Sequence, residues 1–195
     1  TLLKLTEIVS MNDKKLAIFD LDGTLFDTRE VNYLAYKEAL RPYNITLDEE
    51  YFKTKCNGRH YTEFIPRIMG TTEYLEEVHK AKKQAYAHNL ASATVNEHLF
   101  SIIRNWKVEY HCAVVTTASR KNVMDILSFF HVEDLFDCII TQEDISHPKP
   151  DPEGFLLAMD HFKAAPRDTV IFEDSDVGIA AARATGATVI VVDRF

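Results

Sequence analysis

Five short apolar runs recur along the chain: LAIF at 16–19, CAVVT at 112–116, CIIT at 138–141, TVIF at 169–172 and TVIVV at 188–192. All are rich in β-branched residues, and none alternates apolar with polar. A strand that is apolar on both faces must be covered on both, which is the condition of a parallel sheet between layers of helix. Helical periodicity fills the intervals between the later runs. Val123, Ile126, Leu127 and Phe130 share one face; so do Phe155, Leu156, Met159 and Phe162; so do Val177, Ala180, Ala181 and Ala184, with Gly186 as a stop. Ser119 reads as the cap of the first of these helices. Asp151 and Pro152 read as N-cap and first residue of the second. Alternating strand and helix in this way predicts an α/β fold built on a doubly wound parallel sheet.

Between Thr28 and about Thr94 the rhythm fails. Val31, Leu34, Ala35 and Leu40 make one helical stripe, ended by Pro42, and Tyr74, Leu75, Val78, Ala81, Ala85 and Tyr86 make another. No strand pattern lies between them. The expectation is a helical cap over residues 28–94, inserted after the first strand of a core formed by 1–27 and 95–195. A helix near Glu97–Trp106 leads back into that core. At 195 residues the chain is long enough for one full core and a small subdomain.

Bulk properties exclude some partners. The formal net charge is -8 and no basic run is present, so there is no electrostatic footprint for nucleic acid or an anionic membrane. A local positive pocket for a small anion stays compatible with that balance. The opening TLLKLTEIVSMNDKK holds no long apolar stretch; it reads as neither signal peptide nor membrane span, and Met11 is a candidate initiator. Cys56, Cys112 and Cys138 lack metal-site spacing and read as reduced, inert thiols, which points to the cytoplasm. The eight histidines form no HxxxH pair. Oligomeric state is left open.

In open parallel sheets, ligands bind beyond the carboxyl ends of the strands. Asp20 and Asp22 follow the first run, Thr116 and Thr117 the second, Lys149 lies in SHPKPDPE after the third, and Glu173, Asp174 and Asp176 follow the fourth. Carboxylates, hydroxyls and an ammonium are thus directed to one edge. DLDG could be a turn between two strands, but VNYLAYKEAL beyond it is helical and offers no partner strand. Asp20 reads instead as a nucleophile that attacks phosphorus to form an acyl phosphate. Asp22 reads as the proton carrier, protonating the leaving alcohol and then deprotonating water. Two residues of extended chain separate them by ~6–7 Å, and Gly23 lets backbone amides approach a phosphate. Crowded carboxylates and hard oxygen donors suit Mg²⁺, with Asp20 and Asp174 as side-chain ligands and Glu173 direct or through water. Ser175 or Asp176 also serves as a helix cap. Thr116, with Thr117 beside it, can bond a phosphate oxygen, and Lys149, held between prolines, can neutralise phosphate charge.

With these residues assembled, the sequence resembles the haloacid dehalogenase superfamily, in the phosphatase-like branch that carries a helical cap after the first strand. The resemblance spans nearly the whole chain, through FDLDGTLFDT, Thr116 in VVTTAS, Lys149 in KPDPEGF, and FEDSDVGIAAARATG. It implies that Asp20 is phosphorylated, that Asp22 is the acid/base, and that Mg²⁺ is held by Asp20, Asp174 and the backbone carbonyl of Asp22. It also implies that Thr116 and Lys149 bind the phosphoryl group, and that the cap closes over the site. Dehalogenases of this fold lack the second aspartate, so Asp22 argues against that chemistry. Mutases resembling β-phosphoglucomutase share KPDPE, but carry a histidine early in the first cap helix and an arginine beyond the glycine of the cap loop. Here Asn32 stands near the histidine position and Arg59 directly follows Gly58. The loop Asn57, Gly58, Arg59 and His60 is a candidate specificity element. Relatives also commonly continue with another helix beyond the last strand.

The expected function is therefore a Mg²⁺-dependent phosphatase for a small phosphorylated metabolite, with a phosphohexomutase as the alternative. A receiver-type signalling module combines similar groups, but in another order and without a helical insert. A non-catalytic scaffold is disfavoured because all four chemical positions are filled.

Overall fold

The computed structural model describes residues 14–57, 59, 61–193 and 195; Gly58, His60 and the segment containing Met11 lie outside the described residues. The elements run β1 (Lys15–Phe19), β2 (Phe26–Asp27), α1 (Arg29–Leu40), α2 (Glu49–Tyr51), α3 (Tyr61–Met69), α4 (Leu75–Tyr86), β3 (Thr94–Val95), α5 (Glu97–Trp106), β4 (Tyr110–Val115), α6 (Arg120–Phe129), β5 (Cys138–Ile140), α7 (Glu153–Phe162), β6 (Thr169–Glu173), α8 (Asp176–Ala184) and β7 (Thr188–Val191). A wide helical turn, Phe52–Cys56, continues α2.

The five long strands form one parallel sheet in the order β5-β4-β1-β6-β7. In its centre Ala17 lies opposite Cys112 on one side and Val170 on the other. Alternation along β1 divides the core. Leu16 and Ile18 pack with Phe155, Ala158, Met159 and Ala181 on one face. Ala17 and Phe19 pack with Phe100, Ile103, Val123 and Ile126 on the other. Both layers bury apolar surface, which is why β1 tolerates no polar residue between Leu16 and Phe19. Phe19 stacks on Phe172 with centroids 4.7 Å apart and meets Phe136 edge-on at 6.4 Å. Among the described residues no helix is long and apolar enough to cross a membrane.

Among the described residues four helices, α1 to α4, lie between β2 and β3. Tyr33, Tyr36, Leu40, Phe52, Phe64, Ile65 and Val78 form an apolar cluster of their own. Val31 and Ala35 of α1, with Ala85 and Tyr86 of α4, face the main core instead. Both ends of this helical stretch meet at one place. Phe26 of β2 pairs with Val95 of β3 in a two-stranded antiparallel ribbon, and Asn96 donates its backbone N–H to Leu25 O and its side-chain amide to Thr24 O.

Three details depart from the sequence pattern. The β2–β3 ribbon has no counterpart in it, because two-residue strands are too short to show any periodicity. Helix α7 begins one residue later than expected: Pro152 occupies the N-cap and Asp151 accepts a bond from Glu153 N at 2.9 Å. The last apolar run forms β7, but it is not covered on both faces; Ile190 and Val191 are 40% and 54% exposed. Among the described residues it pairs only with β6, at the sheet margin, and α8 packs against both β6 and β7.

The aromatic stack at the centre of the sheet gives the first prediction. Phe19→Ala removes a fully buried ring from a packed layer and should cost about 3–5 kcal/mol of unfolding free energy, measured by urea denaturation. A loss well under 1 kcal/mol would contradict this packing.

Candidate active site

Asp20 continues β1 by one residue. Its N–H donates to Phe172 O at 3.0 Å, so the carboxylate is presented at the strand end with only 7% of the residue exposed. The chain then doubles back. Leu25 N and Phe26 N both donate to Leu21 O at 3.0 Å, Gly23 N donates to Phe26 O at 2.7 Å, and buried Leu21 and Leu25 pin the loop from below. Gly23 has φ +91, and a Cβ there would overlap the carboxylate of Asp174. Glycine is thus required twice, for the backbone angle and for the approach of Asp174. Thr24 Oγ1 donates to the same carboxylate at 3.0 Å.

Lys149 is directed into this corner from the loop before α7. Its ammonium donates to Asp20 Oδ1 at 2.5 Å, Glu173 Oε1 at 2.7 Å and Val115 O at 3.2 Å, so all three protons have acceptors. Glu153 fixes the loop by accepting from Ser146 N at 2.9 Å and His147 N at 2.7 Å. Glu173 is fully buried. Its second oxygen accepts from Ser175 N at 2.8 Å and Ser175 Oγ at 3.1 Å, and a Cβ on Gly178 would overlap the carboxylate. The Ser175 hydroxyl also caps α8, accepting from Gly178 N at 3.1 Å. In this arrangement Glu173 is the buried anchor of Lys149, where the sequence suggests a metal ligand; its acceptors are engaged by protein donors.

Thr116 continues β4 as Asp20 continues β1, donating N–H to Ile140 O at 3.0 Å. Its buried hydroxyl accepts from Ala118 N at 3.1 Å, which leaves the hydroxyl proton to donate outward. Thr117 is exposed beside it, and Thr116, Thr117 and Lys149 line one pocket. Ser119 caps α6 by accepting from Asn122 N at 3.4 Å.

Burial dominates the electrostatics of the acids. It pushes the Asp20 carboxyl well above the usual range; Lys149 opposes this, and the neighbouring Glu173 and Asp22 charges add to it. Burial raises Asp22 as well, opposed by the Thr28 hydrogen bond and by Lys82. Asp174 is raised by burial and then by Glu173. Lys149 moves upward despite its burial, because Asp20 and Glu173 both favour its charged form. A cation beside these carboxyls would favour their charged forms. Among the described residues no three His, Cys, Asp or Glu side chains converge on one point. Asp20 and Asp174 are the carboxylates that could serve as ligands, with other positions taken by water and phosphate. That hard-oxygen, partly hydrated set suits Mg²⁺.

Two features of the site go beyond the sequence motifs. Thr28 occupies the N-cap of α1, yet its hydroxyl caps nothing; it donates to the Asp22 carboxylate. Asn32 Nδ2 donates to Thr28 O at 3.0 Å and lies 3.2 Å from Thr28 Oγ1. The second is Lys82 on α4. It is 8% exposed, with its ammonium 5.3 Å from the Tyr36 ring centroid and 5.0 Å from that of Tyr86. Burial pulls it down to about 8, against the attraction of Asp22. The sequence does carry a signal for it: Lys82 lies four residues after Val78 and four before Tyr86, on the stripe that α4 buries.

Asn57 N and Arg59 N bond back to Phe52 O at 2.9 Å and Cys56 O at 3.0 Å, and both side chains are exposed. Gly58 and His60 lie outside the described residues. Cys56 and Cys112 are buried, Cys138 is half-buried, and all three are unpaired, with burial pushing each thiol upward.

Known proteins resemble this chain in sequence and fold. A phosphorylated carbohydrates phosphatase of Thermotoga maritima is 26% identical over 176 residues, covering 87% of this chain and 80% of that protein. A fructose-1-phosphate phosphatase of Escherichia coli is 28% identical over 172 residues, covering 87% and 91%. The crystal structure of CbbY from Rhodobacter sphaeroides in complex with phosphate superposes with a TM-score of 0.80 at 26% identity, covering 93% of this chain and 87% of that one. The family model of the haloacid dehalogenase-like hydrolases matches residues 17–192. This chain belongs to the haloacid dehalogenase-like hydrolases.

Proposed function

We propose that the protein is a Mg²⁺-dependent phosphatase that hydrolyses a small phosphorylated metabolite, a sugar phosphate or similar phosphomonoester, through an aspartyl-phosphate on Asp20. The observation that carries this reading is the bridge from Lys149 to Asp20 and Glu173, with Asp174 against Gly23 and Thr116 on the same pocket. The names of the two phosphatase relatives point to the same substrate class.

Asp20 Oδ1 is held by Lys149, which leaves Oδ2 to attack phosphorus. The new O–P bond forms as the bond to the leaving alcohol breaks, and Asp22 supplies the proton that the alkoxide needs. A water then attacks the acyl phosphate, Asp22 takes its proton, and inorganic phosphate departs with Asp20 restored. Lys149 and the Thr116 hydroxyl compensate the negative charge on the phosphoryl oxygens in both steps. When bound, a Mg²⁺ held by Asp20 and Asp174 would supply further neutralisation of that charge. Residues 28–94 act as a cap that excludes bulk water, moving about the β2–β3 joint.

Hydrolysis is favoured over phosphohexomutase chemistry by Asn32. Its amide is engaged by Thr28 at the position where mutases of this type carry a histidine. The unpaired thiols fit a reducing cytoplasm.

Two measurements test the proposal. Asp20→Asn should lower kcat on a sugar phosphate at least about a thousandfold while keeping a cooperative melt, and chelation should abolish wild-type turnover. Equal rates in the variant and the wild type rule out Asp20 as nucleophile. Gly23→Ala displaces Asp174 and should weaken the Mg²⁺ requirement curve about 10- to 100-fold. A variant that saturates at the wild-type Mg²⁺ concentration argues against Asp174 as a ligand.

A further inference from the structure

We infer that Lys82 is a subsite for a second anionic group, a carboxylate or phosphate carried by the part of the substrate that departs as the alcohol. The inference rests on the hydrolytic reading for the side on which that alcohol lies, and it specifies the substrate class.

A buried ammonium is normally matched by a carboxylate. Lys149 shows the normal case, with two. Lys82 is buried to the same degree, yet no carboxylate among the described residues forms an ion pair with it. What surrounds it is two tyrosine rings. Their faces attract a cation but compensate it only in part. The titratable groups around it are Asp22, Lys83, Tyr36 and Tyr86. Asp22 is the one carboxyl group among them; it forms no ion pair with Lys82 and its own carboxylate accepts from Thr28. Lys82 is therefore a cation that the fold has enclosed and left unmatched.

Its position says which part of a substrate it meets. The phosphoryl group to be transferred lies with Asp20, Lys149, Thr116 and Asp174. Lys82 instead senses Asp22, the group that serves the departing oxygen. It also belongs to α4, in the helical stretch and not among the strand ends. An oxyanion on the departing portion would receive a charge-assisted bond there and would complete a pairing that the protein lacks.

Two ligand pairs isolate this contact. 3-Phosphoglycerate and glycerol 3-phosphate differ by a carboxylate in place of a hydroxymethyl group. Fructose 1,6-bisphosphate and fructose 1-phosphate differ by a second phosphate. Binding is measured by titration calorimetry in the Asp20→Asn background with Mg²⁺, so it does not depend on turnover; wild-type hydrolysis of the same compounds tests the hydrolytic reading separately. The expected result is that the anionic member of at least one pair binds about tenfold or more tightly, and that adding Lys82→Met removes that preference while Lys82→Arg retains part of it. The pair that responds identifies carboxylate or phosphate. Equal affinities within both pairs, a preference that survives Lys82→Met, or an equal loss for charged and neutral ligands would each overturn the assignment.

Ligand-free stability gives an independent readout. Replacing an unmatched buried charge by an apolar side chain of similar length should raise the melting midpoint at pH 7. Because burial holds Lys82 at about 8 against its ordinary 10.5, the wild type sheds that charge while the unfolded chain still carries it. The advantage of Lys82→Met should therefore be greatest at pH 7 and shrink as pH rises from about 8 towards 10.5, because a lowered folded-state value costs the wild type stability that is fully lost below about 8 and recovered across this interval. A lower midpoint for Lys82→Met at pH 7 would mark the lysine as a structural group and overturn the assignment.

Discussion

The Lys149 ammonium, set between Asp20 and Glu173, is the contact on which the rest of the site depends. It ties the ends of β1 and β6 to the loop before α7, and through Val115 O it reaches the end of β4. Removing three charged groups from water is costly, and their mutual attraction offsets that only when the donors and acceptors are engaged. All three ammonium protons meet that condition. The requirement extends outward: Glu173 needs Ser175, Ser175 needs the first turn of α8, and that turn needs glycine at 178 because any Cβ would meet Glu173. A buried lysine thus constrains residues well beyond its own contacts.

The same logic orders the opposite side of the site. Gly23 turns the loop after Asp20 with a positive φ and lets Asp174 close on it. The two glycines act at different carboxylates. Gly178 makes room for Glu173, which is matched inside the protein. Gly23 makes room for Asp174, whose partners in the fold are weaker: one hydroxyl, Thr24, donates to it. Adjacent residues in the sequence, Glu173 and Asp174, are therefore separated in role by which way the strand end turns them.

Much of this architecture is legible in the amino-acid order alone. Runs of β-branched residues without alternation identify the buried parallel strands, and Asp20, Thr116, Lys149 and Asp174 stand out because each follows such a run. The sequence puts Glu173 at the site but hides its duty as the anchor of Lys149, since residue order does not show where an acceptor is already engaged. The β2–β3 ribbon is invisible because two residues carry no period. The apolar composition of β7 suggests a doubly covered strand, because composition reports apolarity and not position in the sheet; as the outermost strand it keeps Ile190 and Val191 exposed. Asn32 is notable in the sequence only for standing near the histidine position of the β-phosphoglucomutase-like mutases, whereas its contacts to Thr28, and through that hydroxyl to Asp22, are fixed by the tertiary joint.

The state of Lys82 is hidden for a different reason, and the comparison with Lys149 shows why. Both are lysines in polar surroundings, KAKK and HPKP; the spacing of Lys82 from Val78 and Tyr86 marks it as buried, but residue order does not show what partners a buried lysine has. In the fold both are almost fully enclosed, yet their proton affinities move in opposite directions: Lys149 upward with two carboxylates against it, Lys82 down to about 8 with two aromatic rings. The difference lies in the partners and not in the burial. One cation is complete before any ligand arrives, so it can hold Asp20 and a strand end in fixed geometry. The other is incomplete, so its energy is lowered only when something negative comes to it. A chain with a formal net charge of -8 nonetheless keeps two lysines out of solvent around one pair of aspartates, and only the unmatched one is available to choose what enters.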